Sequence, residues 1–311
     1  MNDRSEETRI SLSISAVERD TGISKDTLRV WERRYGFPNP ERDQFGERVY
    51  SLEQVDKLRL IRRLLDLGHR PGRIIRHPVE DLQTLAEQTT PAPVVSNTVE
   101  GLDTGLDRFL ELIKNKQVEE LRQQLAQISL RLGVERFVTQ VAAPLTQMVG
   151  DAWARGYLEI FEEHLYTESI QVVMRNAIQS IPQQQPGSPR VVMTTFPNEP
   201  HGVGLLMVEA ILALEGCRVY SLGTQTPVLE IVAAAESQRA DIVALSFTAA
   251  PNPTLVAEGV NQLREKLPES VEIWVGGRCP SLSRRPPVGV KVMNLLTDIR
   301  PGLTRWRADR G

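Results

Sequence analysis

The stretch that most restricts what this chain can fold into is Arg190-Val-Val-Met-Thr194, the loop that follows it, and the helix-patterned run Val203 to Leu214. The first five residues are short, β-branched and bounded by Pro189, as a buried strand requires. From Val203 onward the apolar residues recur at helical spacing. Glu199, His201, Gly202 and Gly204 therefore occupy a loop that leaves the carboxyl end of a strand and opens a helix. Open α/β sheets bind ligands at such loops. A histidine two residues from a carboxylate carries the parts of a metal ligand with its orienting partner, since one imidazole nitrogen can bind metal while the other donates to the acid.

The pattern repeats downstream. Strands are expected at 190–196, 217–222, 241–247 and 271–276, with a short one near 290–294. Helices are expected at 202–214, 227–238, 253–266 and near 298–307. Alternation of this kind predicts a doubly wound, flavodoxin-like (Rossmann-type) parallel sheet. Leu222, Gly223 and Thr224 then lie at a second strand's carboxyl end.

A surface-loop histidine taken alone is usually just solvated; what surrounds this one gives it weight. Glu199-x-His201-x-x-Gly204 is followed after 41 residues by Ser246-Phe-Thr248, and after 27 more by Gly276-Gly277. This resembles the cobalamin-binding module of methionine synthase and the corrinoid mutases, with Thr248 in place of the usual Leu. The resemblance implies base-off, His-on binding, with His201 coordinating cobalt from below. The displaced nucleotide tail would pass Gly204, Ser246 and the Gly276-Gly277 turn, where glycine lets backbone approach a ligand closely. Glu199, Gly202 and Thr248 belong to the same set, and Leu222, Gly223 and Thr224 would border the corrin ring.

The amino-terminal part has a different character. Residues 13–77 carry 14 Lys and Arg against 10 Asp and Glu, whereas residues 78–187 carry 8 against 15. A basic head on an acidic protein points to a polyanionic partner for that head. Ser13 to Tyr35 reads as helix, turn, helix. Ser15 is the expected cap of the first helix, Gly22 the turn, and Ser24 the cap of the second. Ile14, Val17, Ile23, Leu28 and Trp31 face inward. After Gly36-Phe-Pro-Asn-Pro40, a hairpin with Gly46 at its turn leads through Ser51 into a third amphipathic helix.

Thr27-Leu-Arg-Val-Trp-Glu-Arg-Arg-Tyr35, Arg42-x-x-x-Gly46-x-Arg48-x-Tyr50-Ser51 and Val55 to Gly68 resemble the winged-helix DNA-binding domain of the MerR superfamily. The resemblance implies double-stranded operator DNA as partner, with the second helix in the major groove and the wing across the adjacent backbone. Lys25, Thr27, Arg29, Arg33, Arg34 and Tyr35 would form the helix's contacts, and Arg42, Arg48 and Tyr50 those of the wing. Basic side chains supply phosphate contacts, and a few helix residues read base edges.

Residues 78–103, with the Pro/Ser/Thr tract near Thr89, are expected to be a flexible linker. Residues 104–187 are expected to form a four-helix bundle, the third helix kinked at Pro144. In it Trp153 is followed, after nine residues, by Glu163-His164. Beside a cobalamin module this spacing resembles the adenosylcobalamin-dependent, light-sensing MerR regulators of the CarH/LitR group. The resemblance implies that the bundle covers the upper corrin face, with Trp153 against the adenosyl group and Ile160, Glu163 and His164 around the same cavity. In those light sensors a His follows the motif Trp and ligates cobalt after photolysis; here Ala154 stands there. Water, hydroxide or a displaced His164 remain open as alternatives, as does the absence of any such adduct.

The expected architecture is thus a multidomain chain: an α winged helix-turn-helix head (1–77), a linker, a four-helix bundle (104–187) and an α/β cobalamin domain (188–311). With 41% hydrophobic and 25% charged residues the composition is ordinary for globular proteins. No apolar run reaches the roughly 20 residues of a membrane span, and no signal-peptide pattern is seen. Two cysteines form no disulfide framework, so a cytoplasmic, nucleoid-associated protein is the expectation. Three functions come into question. The first is a non-enzymatic repressor that senses light through adenosylcobalamin, assembling as a homo-oligomer (dimer or tetramer) on genes for light protection. The second is a light-independent sensor of cobalamin or its upper ligand, with methylcobalamin possible. The third, a methyl carrier or mutase subunit, gives a DNA-binding head no role.

Overall fold

The computed structural model describes residues 11–89, 98–99, 102–103, 105–182, 188–248, 253–277 and 286–310, together with positions 279 and 282. The chain divides into two compact units at Ala92 and Pro93.

In the first unit β1 (Ser11–Ser13) leads into α1 (Ile14–Thr21). Ser13 rather than Ser15 is the cap: its extended backbone leaves the side chain free to accept from Ala16 N, whereas Ser15 lies inside the helix. Gly22 ends α1 in the left-handed region, and Ser24 caps α2 (Lys25–Tyr35). The wing is β2 (Glu41–Arg42) antiparallel to β3 (Arg48–Ser51), with β1 on the other side of β3. Ser51 caps α3 (Leu52–Asp66), followed by the short α4 (Pro71–Ile74) and α5 (Val79–Thr89). Val17, Ile23, Leu28, Trp31, Tyr50, Leu58, Ile61 and Leu64 form the core.

Helix α5 lies inside the span expected to be linker. Its Leu82 and Ala86 are buried in the head's core, with Leu85 packed at its edge. Apolar residues three and four apart put an amphipathic stripe against α3, which outweighs the Pro/Thr texture that follows. Residues 90–97 of the expected linker lie outside the described residues. Thr98–Val99 and Leu102–Asp103 form a small antiparallel pair, β4 and β5.

The second unit begins with α6 (Leu106–Lys114), α7 (Val118–Leu132) and α8 (Val134–Phe137). A π-helical turn, Val138–Ala142, connects α8 to α9 (Ala143–Ala154), and α10 (Ile160–Gln179) completes a four-rod bundle. Pro144 explains the turn. It lacks an N–H and its ring crowds the carbonyl four residues back, so the helix widens by one residue just before it.

Five parallel strands follow: β6 (Arg190–Thr194), β7 (Arg218–Ser221), β8 (Ile242–Phe247), β9 (Glu272–Gly277) and β10 (Val290–Met293). Their order across the sheet is β10-β9-β8-β6-β7, the flavodoxin-type arrangement. The connecting helices are α11 (Val203–Leu214), α12 (Val228–Ser237), α13 (Pro253–Lys266) and α14 (Ile299–Ala308). The period-2 rule sorts the strand residues onto two faces. Val192, Val243, Leu245, Ile273 and Val275 face the layer of α12 and α13. Val191, Met193, Ile242, Ala244 and Trp274 face α11 and α14, and their core runs without a break into Phe109, Leu121, Val141, Met148 and Ile170 of the bundle. Bundle and sheet, expected as separate domains, therefore share one core.

Candidate functional site

Four side chains shape the loop after β6. Thr194 and Thr195 are fully buried at the strand's end. The Thr194 hydroxyl donates to Gly223 O at 2.9 Å and pairs with Thr226 Oγ1 at 2.7 Å, tying β6 to the loop after β7. Thr195 Oγ1 accepts from Gln225 N at 2.8 Å and donates to Glu199 O. Asn198, at φ +68°, turns the chain so that Glu199 points back beneath it.

Glu199 is only 1% exposed. Its Oε1 accepts from His201 N at 3.2 Å and meets His201 Nδ1 at 2.6 Å, while Oε2 accepts from Thr248 N and Oγ1, both at 2.7 Å. Burial pushes this carboxyl up, yet the bonds from His201 and Thr248 outweigh it and hold the group below the ordinary range. In the neutral ring, a carboxylate at Nδ1 favours the proton on that nitrogen, which makes Nε2 the donor atom of a side chain that is 54% exposed. Among the described residues no three His, Cys, Asp or Glu side chains gather as a metal site. A single oriented imidazole is instead the donor set of an axial ligand, suited to a metal that brings its other ligands with it.

The glycines separate into two kinds. A Cβ on Gly204 would stand 3.2 Å from Ser246 Oγ, and one on Gly202 would stand 3.1 Å from Thr224 Cγ2. These two let side chains approach the backbone closely where α11 starts, near the ends of β6, β7 and β8. At Gly276 and Gly277 the close neighbours are backbone atoms instead. Cβ atoms there would lie 3.1 Å from Met293 O and 2.0 Å from Phe247 O, and Gly277 has φ +104°. Leu222 is partly exposed and Gly223 is left-handed, both on the loop that Thr194 holds.

On the bundle, Trp153 sits partly buried at the edge of the shared core. Ile160 opens α10, and one turn on Glu163 Oε1 accepts from Thr167 Oγ1 at 2.6 Å while Oε2 lies 3.6 Å from His164 Nε2. His164 is 69% exposed. Ala154 faces the core at 1% exposure. Sequence reading overlooked Glu162, 1% exposed, which accepts from Glu159 N at 2.9 Å and from Lys114 Nζ at 3.1 Å and lies 3.5 Å from Lys116 Nζ. The spacing Glu159-x-x-Glu162 at a helix start was the available signal.

In the head, Arg29, Arg33 and Arg34 are exposed on α2, and Lys25 lies 3.6 Å from Glu18. Thr27 Oγ1 is engaged with Ser24 at the cap. Tyr35 is flanked by the guanidinium groups of Arg34 and Arg76. Arg42 Nη1 donates to Gly46 O at 2.6 Å, closing the wing turn. Arg48 makes a two-pronged bond to Glu32 of α2 at 2.9 and 3.3 Å, which fastens the wing to that helix. Tyr50, expected to touch DNA, is fully buried. It pairs with Leu12 across the sheet and fills the core, so it shapes the DNA face from behind without touching it.

A winged helix-turn-helix head, joined to a helical bundle and a parallel sheet with one carboxylate-oriented imidazole, is the arrangement of a DNA-binding regulator with a corrinoid-binding half. Comparison with known proteins agrees. Residues 12–77 match the MerR HTH regulatory protein family, and residues 105–177 and 189–290 match two B12-binding domain families. The HTH-type transcriptional repressor CarA of Myxococcus xanthus is 30% identical over 245 residues, covering 78% of this chain and 79% of CarA. The repressor CarH of the same organism is 26% identical over 258 residues, covering 82% and 85%. The monomethylamine corrinoid protein of Methanosarcina barkeri shares the fold at TM-score 0.53 and 15% identity, over 64% of this chain and 96% of that one. The chain belongs to the MerR-family transcriptional regulators with a cobalamin-binding domain, of the CarA and CarH type. No helix among the described residues is long and apolar enough to cross a membrane.

Proposed function

We propose that this regulator is a repressor that senses light through adenosylcobalamin. The observation that carries the reading is the relay His201–Glu199–Thr248 beside the close approach of Ser246 to Gly204, in a chain that also bears Trp153 and the Glu163-His164 pair. When bound, adenosylcobalamin supplies a cobalt–carbon bond that light can break. His201, oriented by Glu199, would hold the cobalt. Gly202, Gly204, Ser246 and Thr224 would lie along the nucleotide tail, and Leu222 and Gly223 would border the ring. Trp153, Ile160, Glu163 and His164 would shelter the adenosyl group. In the dark the chains assemble as a homo-oligomer, dimer or tetramer, which places several heads on one operator. Linked sites gain by effective concentration, and dissociation in light lowers operator affinity.

Ala154 favours a second reading, a sensor of cobalamin or its upper ligand that does not respond to light. Its buried methyl offers no imidazole for cobalt once the upper ligand is gone. One experiment separates the two. Purified protein is loaded with adenosylcobalamin in the dark, and its absorption and mass by light scattering are followed through green illumination. The light reading expects a smaller assembly once the spectrum reports that the cobalt–carbon bond has broken; a changed spectrum with an unchanged mass leaves the light-independent sensor.

A further inference from the structure

In the head, the large apolar side chain most open to solvent among the described residues is Phe45, 80% exposed at the tip of the wing. We propose that Phe45 is a DNA contact, an apolar wedge set against the sugars and base edges of the operator's minor groove. This inference rests on DNA binding by the head, not on light sensing.

The tip is built to hold this ring outward. Asp43 turns its carboxylate inward, where Oδ1 accepts from Phe45 N and Glu47 N, both at 2.9 Å. Asp43 N donates to Glu47 O at 3.0 Å, and Gly46 N donates to Asp43 O at 2.9 Å. Gly46, at φ +79°, makes the turn, and Arg42 closes it from the side through Gly46 O. A tip ordered by these bonds loses little freedom when it meets a partner. Its place relative to α2 is equally defined, since Arg48 of β3 grips Glu32 of α2 with two bonds. With α2 in the major groove, a wing fastened to its side reaches the neighbouring backbone and minor groove.

Charge alone does not hold this wing on a duplex. Arg48 is neutralised by Glu32, and exposed Glu41 and Glu47 flank exposed Arg42. The carboxylates repel phosphate, which leaves the aromatic ring as the group at the tip with something to gain. Apolar side chains are the ones that proteins insert into the minor groove, where they pack on sugars or part base steps.

The test uses the full chain and a duplex selected by that chain from a random pool, with affinity measured across a salt series. Phe45→Ala is expected to weaken binding about tenfold, the worth of one buried ring. The slope of log affinity against log salt stays as in the wild type, because no phosphate contact is lost. Phe45→Leu retains binding to within roughly threefold, since the apolar contact remains. Arg33→Ala on α2, by contrast, reduces the salt slope by about 1. A Phe45→Ala protein that binds like the wild type, or whose loss comes with a changed salt slope, overturns the wedge. Unchanged DNA binding with lost repression in cells overturns it too, in favour of a protein partner at the tip. A wild-type chain that selects no duplex is a different failure, that of DNA binding itself.

Discussion

Thr248 grips one oxygen of the Glu199 carboxylate twice, through its backbone N–H and its hydroxyl, both at 2.7 Å. The residue usual at this position in the cobalamin module has no hydroxyl, so half of this grip belongs to this chain's own sequence. The carboxylate cannot rotate, and the imidazole of His201 on its other oxygen is held in turn.

Thr248→Val removes the hydroxyl bond and keeps the backbone one. Losing one hydrogen bond to a buried charge is expected to cost roughly 1.5–3 kcal/mol, or at least tenfold in the fraction of protein with His201 on cobalt. Absorption titration with adenosylcobalamin in the dark measures it. Thr248→Ser should behave like the wild type, and a Val variant that does so as well would show the hydroxyl to be idle. His201→Ala marks the floor of the same titration, with no His-on spectrum at all.

The buried Glu162 gives the bundle a pH dependence. Burial pushes its carboxyl up, but the Glu159 N–H and the ammonium groups of Lys114 and Lys116 more than compensate, and its pKa is lowered. A lowered folded-state pKa means stability that is complete above about 4.3, the unfolded value for Glu, and lost as pH falls through the folded value. Chemical denaturation of the full chain between neutral pH and pH 3 is expected to show this loss, and Glu162→Gln to flatten it. Parallel curves for the two proteins would count against the assignment.

Gly277→Ala and Gly204→Ala should differ sharply. The first drives a methyl to 2.0 Å from Phe247 O at φ +104°, so the sheet must deform and soluble yield should collapse. The second brings a methyl to 3.2 Å from Ser246 Oγ, which a small shift relieves. Its melting temperature should stay within a few degrees of wild type, while adenosylcobalamin affinity falls because the methyl and the displaced Ser246 stand where the nucleotide tail would pass. Equal affinity for Gly204→Ala and wild type would mean the tail does not pass between these residues.

Restoring the light-sensor histidine is expected to fail as a simple graft. Ala154 is 1% exposed, and Ala154→His overfills a packed core at a cost of about 1–3 kcal/mol. Denaturation midpoints of the cofactor-free protein test this, and an undiminished midpoint would show that the bundle has room for the ring.

Much of this molecule was legible in the sequence because it obeys short-range rules. The inner strands β6, β8 and β9 are buried on both faces and read as short apolar runs, and Gly22, Ser24 and Ser51 announce turn and caps chemically. The pairing of His201 with Glu199 followed from two-residue spacing on a strand-end loop. What escaped depended on long-range packing. Nothing local to Tyr50 says that it points into the core while Arg48 stays at the surface; the pairing of β3 with β1 decides it. Helix α5 was hidden by the tract after it, and the second bond from Thr248 to Glu199 joins residues 49 positions apart. The merging of bundle and sheet cores is a tertiary fact no window of sequence displays.

That merged core bears on how such a regulator could be rebuilt. Helix α11 starts just past His201, forms one wall of the sheet and lies flank to flank with α10, which bears Glu163 and His164. A chimera that takes only the sheet from a relative would inherit a mismatched seam along α11, whatever its loops contain. The interchangeable cassette is the whole stretch from Leu106 to Ala308, and natural variants on either side of that seam should have drifted in step.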